Sequence, residues 1–183
     1  MWKIVVFISL TLILGYLSRA SLLDRHTHGF YRFFAWEAIL ALMLLNLSVW
    51  FRSWLAWYQL ISWFLLIVCI LPLALGIYSL RSRGAPDKEK RSEPPLLGFE
   101  RTTVLVTSGI YHFIRHPLYS SLFLLNWGIF FKDPSLMGVL LALIATFFLV
   151  LTAKADEAEC LCAFGSQYQD YMKTTKRFIP LIY

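Results

Sequence analysis

The apolar residues of this chain are gathered into five long blocks with only short polar stretches between them. The blocks fall at about 2–17, 30–50, 54–80, 118–131 and 136–153. A run of roughly 20 apolar residues suits a helix that crosses a bilayer, where the backbone has to satisfy its own hydrogen bonds. The pattern predicts an all-α fold: a polytopic membrane helix bundle of about five transmembrane helices, followed by cytoplasmic carboxyl-terminal helices over 154–180. Only 15% of the residues are charged and 58% are hydrophobic, against about 25% charged in a water-soluble domain. The 183 residues read as a single membrane domain, with a cytoplasmic loop over 81–117.

The blocks differ in ways that matter. The third is longer than a span needs, so it is expected to tilt or kink, with Pro72 and Gly76 as the kink points. The fourth is short and is expected to borrow Tyr111–Pro117 for depth. Lys132-Asp133-Pro134-Ser135 reads as a tight turn that makes the last two blocks an antiparallel hairpin. Met1-Trp2-Lys3 before an apolar run has the start of a signal peptide. No clean small-x-small cleavage site follows, so the first block reads as an uncleaved helix.

Five crossings put the termini on opposite sides. Lys3, Arg52 and Lys132 share the amino-terminal side, and the other fourteen of the 17 Lys and Arg fall on the opposite one. Basic loops stay in the cytoplasm. The amino terminus is therefore expected outside and the carboxyl terminus in the cytoplasm. A short, basic chain without a targeting address suits a bacterial inner membrane, with the endoplasmic reticulum as the alternative. Trp50, Trp54 and Trp57 suit an interfacial belt at the outer turn. The net charge of +6 follows from loops that face anionic lipid, and no basic groove argues for nucleic acid. Cys69, Cys160 and Cys162 read as reduced packing cysteines, and no Cys/His spacing fits a zinc site, so no metal is expected.

Arg81–Pro95 reads as a solvated loop rich in charge, Gly and Pro. Thr102–Val106 is β-branched and suits an extended or surface-lying segment. Ser108 suits the cap of a helix beginning at Gly109, and Pro117 disfavours a helical His116, which implies a bend. Gly165 is a natural helix stop and Ser166 a natural cap for the next helix.

Two polar blocks flank the hairpin and meet on one side of the bilayer. In the first, Tyr111 and Arg115 are four apart and would share a helix face. Arg115 at the mouth of a span can hold an anion in two hydrogen bonds. Taken alone, though, it reads more simply as an arginine that snorkels to lipid phosphate, with His116 filling a turn. In the second, Glu157, Leu161, Phe164 and Tyr168 recur at helical spacing, which turns Glu157 inward. Glu159 reads as part of a solvated face. Glu37, inside the second block, is either functional or paired with Arg32. Asn126 reads as interhelical glue, and His26 and His28 are given no role.

Both blocks together resemble the isoprenylcysteine carboxyl methyltransferase family of integral-membrane enzymes. The first match is Leu105-Val106-Thr107-Ser108-Gly109-Ile110-Tyr111 with Arg115-His116-Pro117-Leu118-Tyr119. The second is Asp156-Glu157, Phe164-Gly165, Tyr168, Tyr171 and Arg177-Phe178-Ile179-Pro180. The resemblance covers roughly the last 85 residues. It implies S-adenosyl-L-methionine as cofactor, held over the hairpin, and a lipophilic or small-molecule methyl acceptor that arrives from the lipid bilayer. It also implies Arg115 and Glu157 as catalytic residues, with Tyr111, His116, Pro117, Tyr119, Tyr168 and Arg177 binding cofactor. On that reading Arg115 would orient a carboxylate acceptor, and Glu157 would take the proton of a thiol or amine. Ser120 and Ser121 stand where a glycine often follows, and Asp156 where the family often has Glu, which bears on pocket shape and so on substrate.

The same blocks resemble the NADPH-dependent sterol and enone reductases of membranes. Those carry a further acidic, tyrosine-rich set before the hairpin that is not found here. A non-catalytic binding or assembly protein is the third reading, and the presence of Arg115, His116, Glu157 and Arg177 counts against it.

Overall fold

A computed structural model describes residues 2–85, 100 and 102–180. Eight α-helices run through them: α1 (Trp2–Leu17), α2 (Arg19–Leu22), α3 (His28–Asn46), α4 (Trp57–Val68), α5 (Ile70–Arg83), α6 (Pro117–Phe130), α7 (Leu136–Phe164) and α8 (Ser166–Thr174). The expected loop over 81–117 starts later than predicted, because α5 continues to Arg83. Most of the stretch read as solvated loop, 86–95, lies outside the described residues.

Three helical stretches are long and apolar enough to cross a membrane: His28–Val49, Trp57–Arg83 and Leu136–Phe164. At 16 and 14 residues, α1 and α6 are shorter. The expected count of five therefore rests on α1 and α6, which fall short by length.

Helices α3 and α7 form the centre. Ala38, Ile39 and Leu42 meet Ala142 and Ala145, all of them buried. Small side chains let two helices approach closely where lipid supplies no hydrophobic drive. Helix α6 packs against both, and Asn126 ties it to α7 by donating to the Ala142 carbonyl (2.9 Å). The turn Lys132–Ser135 reverses the chain as expected, and Ser135 caps α7 by accepting from Gly138 N (3.1 Å).

The third apolar block breaks between α4 and α5 at Cys69, three residues before Pro72. Proline has no N–H for the carbonyl one turn back and crowds it. Ser121 Oγ of α6 donates to the buried Cys69 carbonyl at this break (2.7 Å). Gly76 makes no kink. A Cβ there would lie 3.2 Å from Pro117 Cγ, so the glycine serves the close approach of α5 to α6.

Helix α1 buries no residue. Polar contacts hold it to α3: Thr11 Oγ1 donates to Glu37 Oε2 (2.6 Å), and Lys3 Nζ to the Leu45 carbonyl (3.2 Å). The expected Arg32–Glu37 pair does not form. Five residues apart on a helix is about 140° around the axis. Arg32 instead lies 3.2 Å from both carboxylate oxygens of Glu100.

Candidate active site

His116 is extended (φ −123°, ψ 63°) and Pro117 opens α6, so the bend expected at this dipeptide is present. The segment before it is only a short 3₁₀ turn, Gly109–His112. Ser108 does not cap it through its side chain; its hydroxyl accepts from Arg83 Nη1 (2.8 Å). Gly109 has φ +68°, and a Cβ there would sit 2.9 Å from Arg83 Nη1. Only glycine takes this backbone shape freely.

The far wall comes from the end of the described chain. Gly165 (φ +58°) ends α7 as expected and also precedes α8, which begins at Ser166 itself rather than one residue after it. Beyond α8 the chain lies beside the first block. Ile114 and Lys176 form a parallel bridge, and Arg115 N and His116 N donate to the carbonyls of Lys176 (2.8 Å) and Arg177 (3.1 Å). Tyr171 Oη donates to the Tyr111 carbonyl (2.6 Å) and Ser120 Oγ to that of Phe178 (2.9 Å).

Between these walls lies a pocket of about 690 Å³ including its open mouth. Of the eight residues expected at a site, Tyr111, Arg115, His116, Pro117, Tyr119 and Tyr168 line it, whereas Glu157 and Arg177 stand behind the wall. Glu157 Oε1 accepts from Arg115 Nε (2.9 Å) and Arg177 Nε (3.0 Å), and Oε2 from Arg177 Nη2 (2.6 Å). Arg115 Nη1 also donates to the Met172 carbonyl (3.1 Å) and to that of Thr175. Arg115 is only 8% exposed, so it does not snorkel.

The inward face of α7 is Asp156, Cys160 and Phe164. Glu157 turns inward as expected, buried at 5% exposure beside this face. Phe164 and Tyr168 of the same spacing line the pocket, whereas Leu161 is exposed. Four-residue steps fit either face equally, and only tertiary packing sets the phase. Sequence reasoning also passed over Glu100, Thr102 and Tyr171, which line the pocket.

His116 is gripped at both ring nitrogens: Nδ1 lies 3.3 Å from Asp156 Oδ2 and Nε2 lies 3.3 Å from Glu157 Oε1. Burial alone would lower its pKa, but the hydrogen bonds to Asp156 and Glu157 outweigh it and hold the imidazole above its ordinary value. Its ring stacks on Tyr119 (centroids 5.4 Å, planes at 24°). Burial drives the phenols of Tyr111, Tyr168 and Tyr171 upward, so all three are neutral.

His28 and Glu159 depart from expectation. His28 is 1% exposed, and its Nδ1 lies 2.7 Å from Glu159 Oε2. Glu159 Oε1 accepts from the His28 backbone N (2.6 Å) at the first turn of α3, so this carboxylate is not part of a solvated face. The sequence carries no signal for a pair 131 residues apart.

Residues 96–173 match the phospholipid methyltransferase family model. Over 80 residues the chain is 34% identical to Protein-S-isoprenylcysteine O-methyltransferase of Schizosaccharomyces pombe, which covers 43% of this chain and 34% of that protein. Over 129 residues it is 29% identical to the Delta(14)-sterol reductase of Mus musculus, covering 64% of this chain and 31% of that one. The matched part of the chain thus spans about a third of the length of either relative. No solved structure gives a significant match. The matched segment contains every pocket-lining residue except Leu80 and excludes Arg177. Over residues 96–173, this integral membrane protein is thus similar to the phospholipid methyltransferase family.

Proposed function

We propose that the protein is a membrane methyltransferase that uses S-adenosyl-L-methionine and methylates a lipophilic or small acceptor, carboxylate, thiol or amine, at the cytoplasmic face. One observation carries this reading: the segment that matches the methyltransferase family folds into both walls of one pocket, closed from behind by the Arg115–Glu157–Arg177 cluster.

The residues present fit the cofactor. A volume of about 690 Å³ lies in the range of small-molecule sites. Aromatic rings of Tyr111, Phe164, Tyr168 and Tyr171 suit a purine, and the carboxylates of Glu100 and Asp156 suit positive charge. When bound, S-adenosyl-L-methionine supplies a methyl group on a sulfonium, open to in-line displacement. The chain's own residues position, neutralise and exclude water.

The geometry supports a division of roles between Arg115 and Glu157. Arg115 reaches the pocket and is proposed to touch the bound group. Glu157, whose oxygens accept from two guanidiniums and lie beside an imidazole, is proposed to hold Arg115 and His116 in place. A carboxylate so neutralised is a poor base. Asp156 is the acid at the wall. Burial would raise its carboxyl pKa, but the His116, His28 and Arg32 groups outweigh burial and hold it below the ordinary range. Asp156 is therefore proposed to orient the N–H or S–H of an acceptor rather than to take its proton. Leu80 and Leu118, from α5 and α6, give the pocket the apolar side from which a lipophilic acceptor enters.

Calorimetry on detergent-purified protein tests this. S-adenosylhomocysteine should bind at micromolar affinity, and Arg115→Ala and Glu157→Ala should abolish binding. NADPH is the competing ligand, because similarity to the Delta(14)-sterol reductase favours a lipid reductase as the second reading. Binding of NADPH in place of S-adenosylhomocysteine would establish that second reading. Silence from both in a folded protein would leave a non-catalytic binding or assembly role.

We further propose that the whole chain works as one unit in a bacterial inner membrane, with its amino terminus outside and α8 in the cytoplasm. The distribution of Lys and Arg supports this. Cys162 is exposed near the end of α7. A membrane-impermeant thiol reagent added to intact spheroplasts should spare Cys162 until the membrane is opened. Labelling of Cys162 from outside would invert the orientation.

A further inference from the structure

A partly buried chain of polar contacts runs from α3 to the pocket wall. It begins at Glu159, whose two oxygens meet the backbone N (2.6 Å) and ring Nδ1 (2.7 Å) of His28. His28 Nδ1 also lies 4.0 Å from Asp156 Oδ1. Asp156 turns its other oxygen to His116 Nδ1 (3.3 Å), and His116 Nε2 faces Glu157 (3.3 Å). Acid and imidazole alternate along the whole path. Asp156 and His116 line the pocket, but His28 and Glu159 do not.

The proton positions follow from the chemistry of the partners. An ionised carboxylate only accepts, so Glu159 requires a proton on His28 Nδ1. That N–H then points at the Glu159–Asp156 side of the ring, while Nε2 is buried with no partner. A histidine whose other nitrogen is left unsatisfied at 1% exposure costs stability, unless what Nδ1 does is worth more. Beside Asp156, His28 supplies the positive edge that a buried carboxylate needs on the side away from the pocket. The groups facing His28 are Glu159 and Asp156 from α7 and Arg32 from its own helix.

We infer that His28 is a positioning residue for the pocket: through Asp156 it fixes the orientation and protonation of His116, although it touches neither cofactor nor acceptor. This rests on the proposed methyltransferase reading for its consequence, but not for its geometry. It gives a residue of the first long apolar helix, far in sequence from the matched segment, a part in the site.

The test uses the full-length protein in lipid nanodiscs, with ¹⁵N-labelled histidine spectra and S-adenosylhomocysteine calorimetry side by side. In wild type, both His116 nitrogens should resonate as protonated at neutral pH. His28→Ala removes the positive edge beside Asp156, so the pH at which the His116 signals turn neutral should rise. The loosened Asp156–His116 pair should weaken S-adenosylhomocysteine binding about tenfold. His28→Asn places an amide N–H where Nδ1–H stood and should restore both readouts. A merely structural role for His28 would change unfolding without moving the His116 resonances. Should the alanine variant not fold, Glu159→Gln keeps an acceptor for the backbone of α3 while removing the carboxylate, and it should shift the same resonances. If the His116 signals stay in place in every folded variant, the inference is wrong. If they move but wild type binds no S-adenosylhomocysteine, the coupling stands and the methyltransferase reading falls.

Discussion

Arg177 binds Glu157 through both carboxylate oxygens, Nε to Oε1 at 3.0 Å and Nη2 to Oε2 at 2.6 Å. Only a planar guanidinium presents two donors in this fork, and a lysine ammonium cannot copy it. Arg177→Lys is therefore expected to destabilise the protein by about 1–2 kcal/mol. Glu157→Gln leaves two guanidiniums against a neutral amide and is expected to cost about 3–5 kcal/mol. Thermal unfolding in detergent measures both, and midpoints equal to wild type would show that the pair carries no stability.

His116 sets a pH dependence. Its folded-state pKa is raised above 6.5, because the hydrogen bonds to Asp156 and Glu157 exceed the opposing effect of burial. The folded state then binds the proton more tightly than the unfolded state. This contribution is fully present below pH 6.5 and is lost as pH rises through the raised value. The unfolding midpoint of wild type should fall over that upper range relative to His116→Gln. Parallel pH profiles for the two proteins would remove His116 as the cause.

Gly128 lets α4 lie against α6. A Cβ at this position would sit 2.9 Å from Leu66 Cδ2 and 3.3 Å from the Leu66 backbone N. The Ser62 hydroxyl donates to the Gly128 carbonyl at 2.6 Å, which fixes the two helices at that spacing. Gly128→Val should overpack the contact and cost about 1–3 kcal/mol. Ser62→Ala should cost less, about 1 kcal/mol. Unfolding of the two variants in the same detergent checks the order, and a harmless valine would show that the helices can separate without loss.

At the opposite end of the bundle, Lys132 is fully buried. Its Nζ donates to Gln59 Oε1 (3.1 Å) and lies 3.2 Å from the centre of the Trp63 ring, while Gln59 Nε2 donates to the Lys132 carbonyl (2.8 Å). Gln59→Leu strips the ammonium of its amide partner and should cost about 2–3 kcal/mol. Adding Lys132→Met removes the stranded charge, so the double variant should be less damaged than the sum of the single ones. Additive losses would mean that the two side chains do not interact.

Much of the helical layout was legible in the residues. The break in the third apolar block follows from Pro72, whose ring removes one hydrogen bond wherever it stands. The reversal at Lys132–Ser135 follows from a charged, proline-bearing stretch between two apolar ones. The pocket was legible in part. Arg115, His116 and Tyr168 lie on its wall because two motifs flank one hairpin. The inward turn of Glu157 was legible, but not that its neighbour Asp156 is the acid that reaches the pocket, since only the packing of α3 and α6 against α7 decides between them. Nor were the partners of Arg32, Glu37 and His28. Each bonds to a residue of another segment, and no local pattern encodes which one.

The bridge between Ile114 and Lys176 brings together two stretches separated by the helical hairpin of α6 and α7. Such a contact forms only if the intervening chain goes out and comes back. A chain in which α7 failed to return along α6 would leave Arg115 and Glu157 apart, each without its counter-charge. The polar cluster behind the pocket thus acts as a proofreading mark for the hairpin: only molecules in which α7 has returned along α6 neutralise these charges.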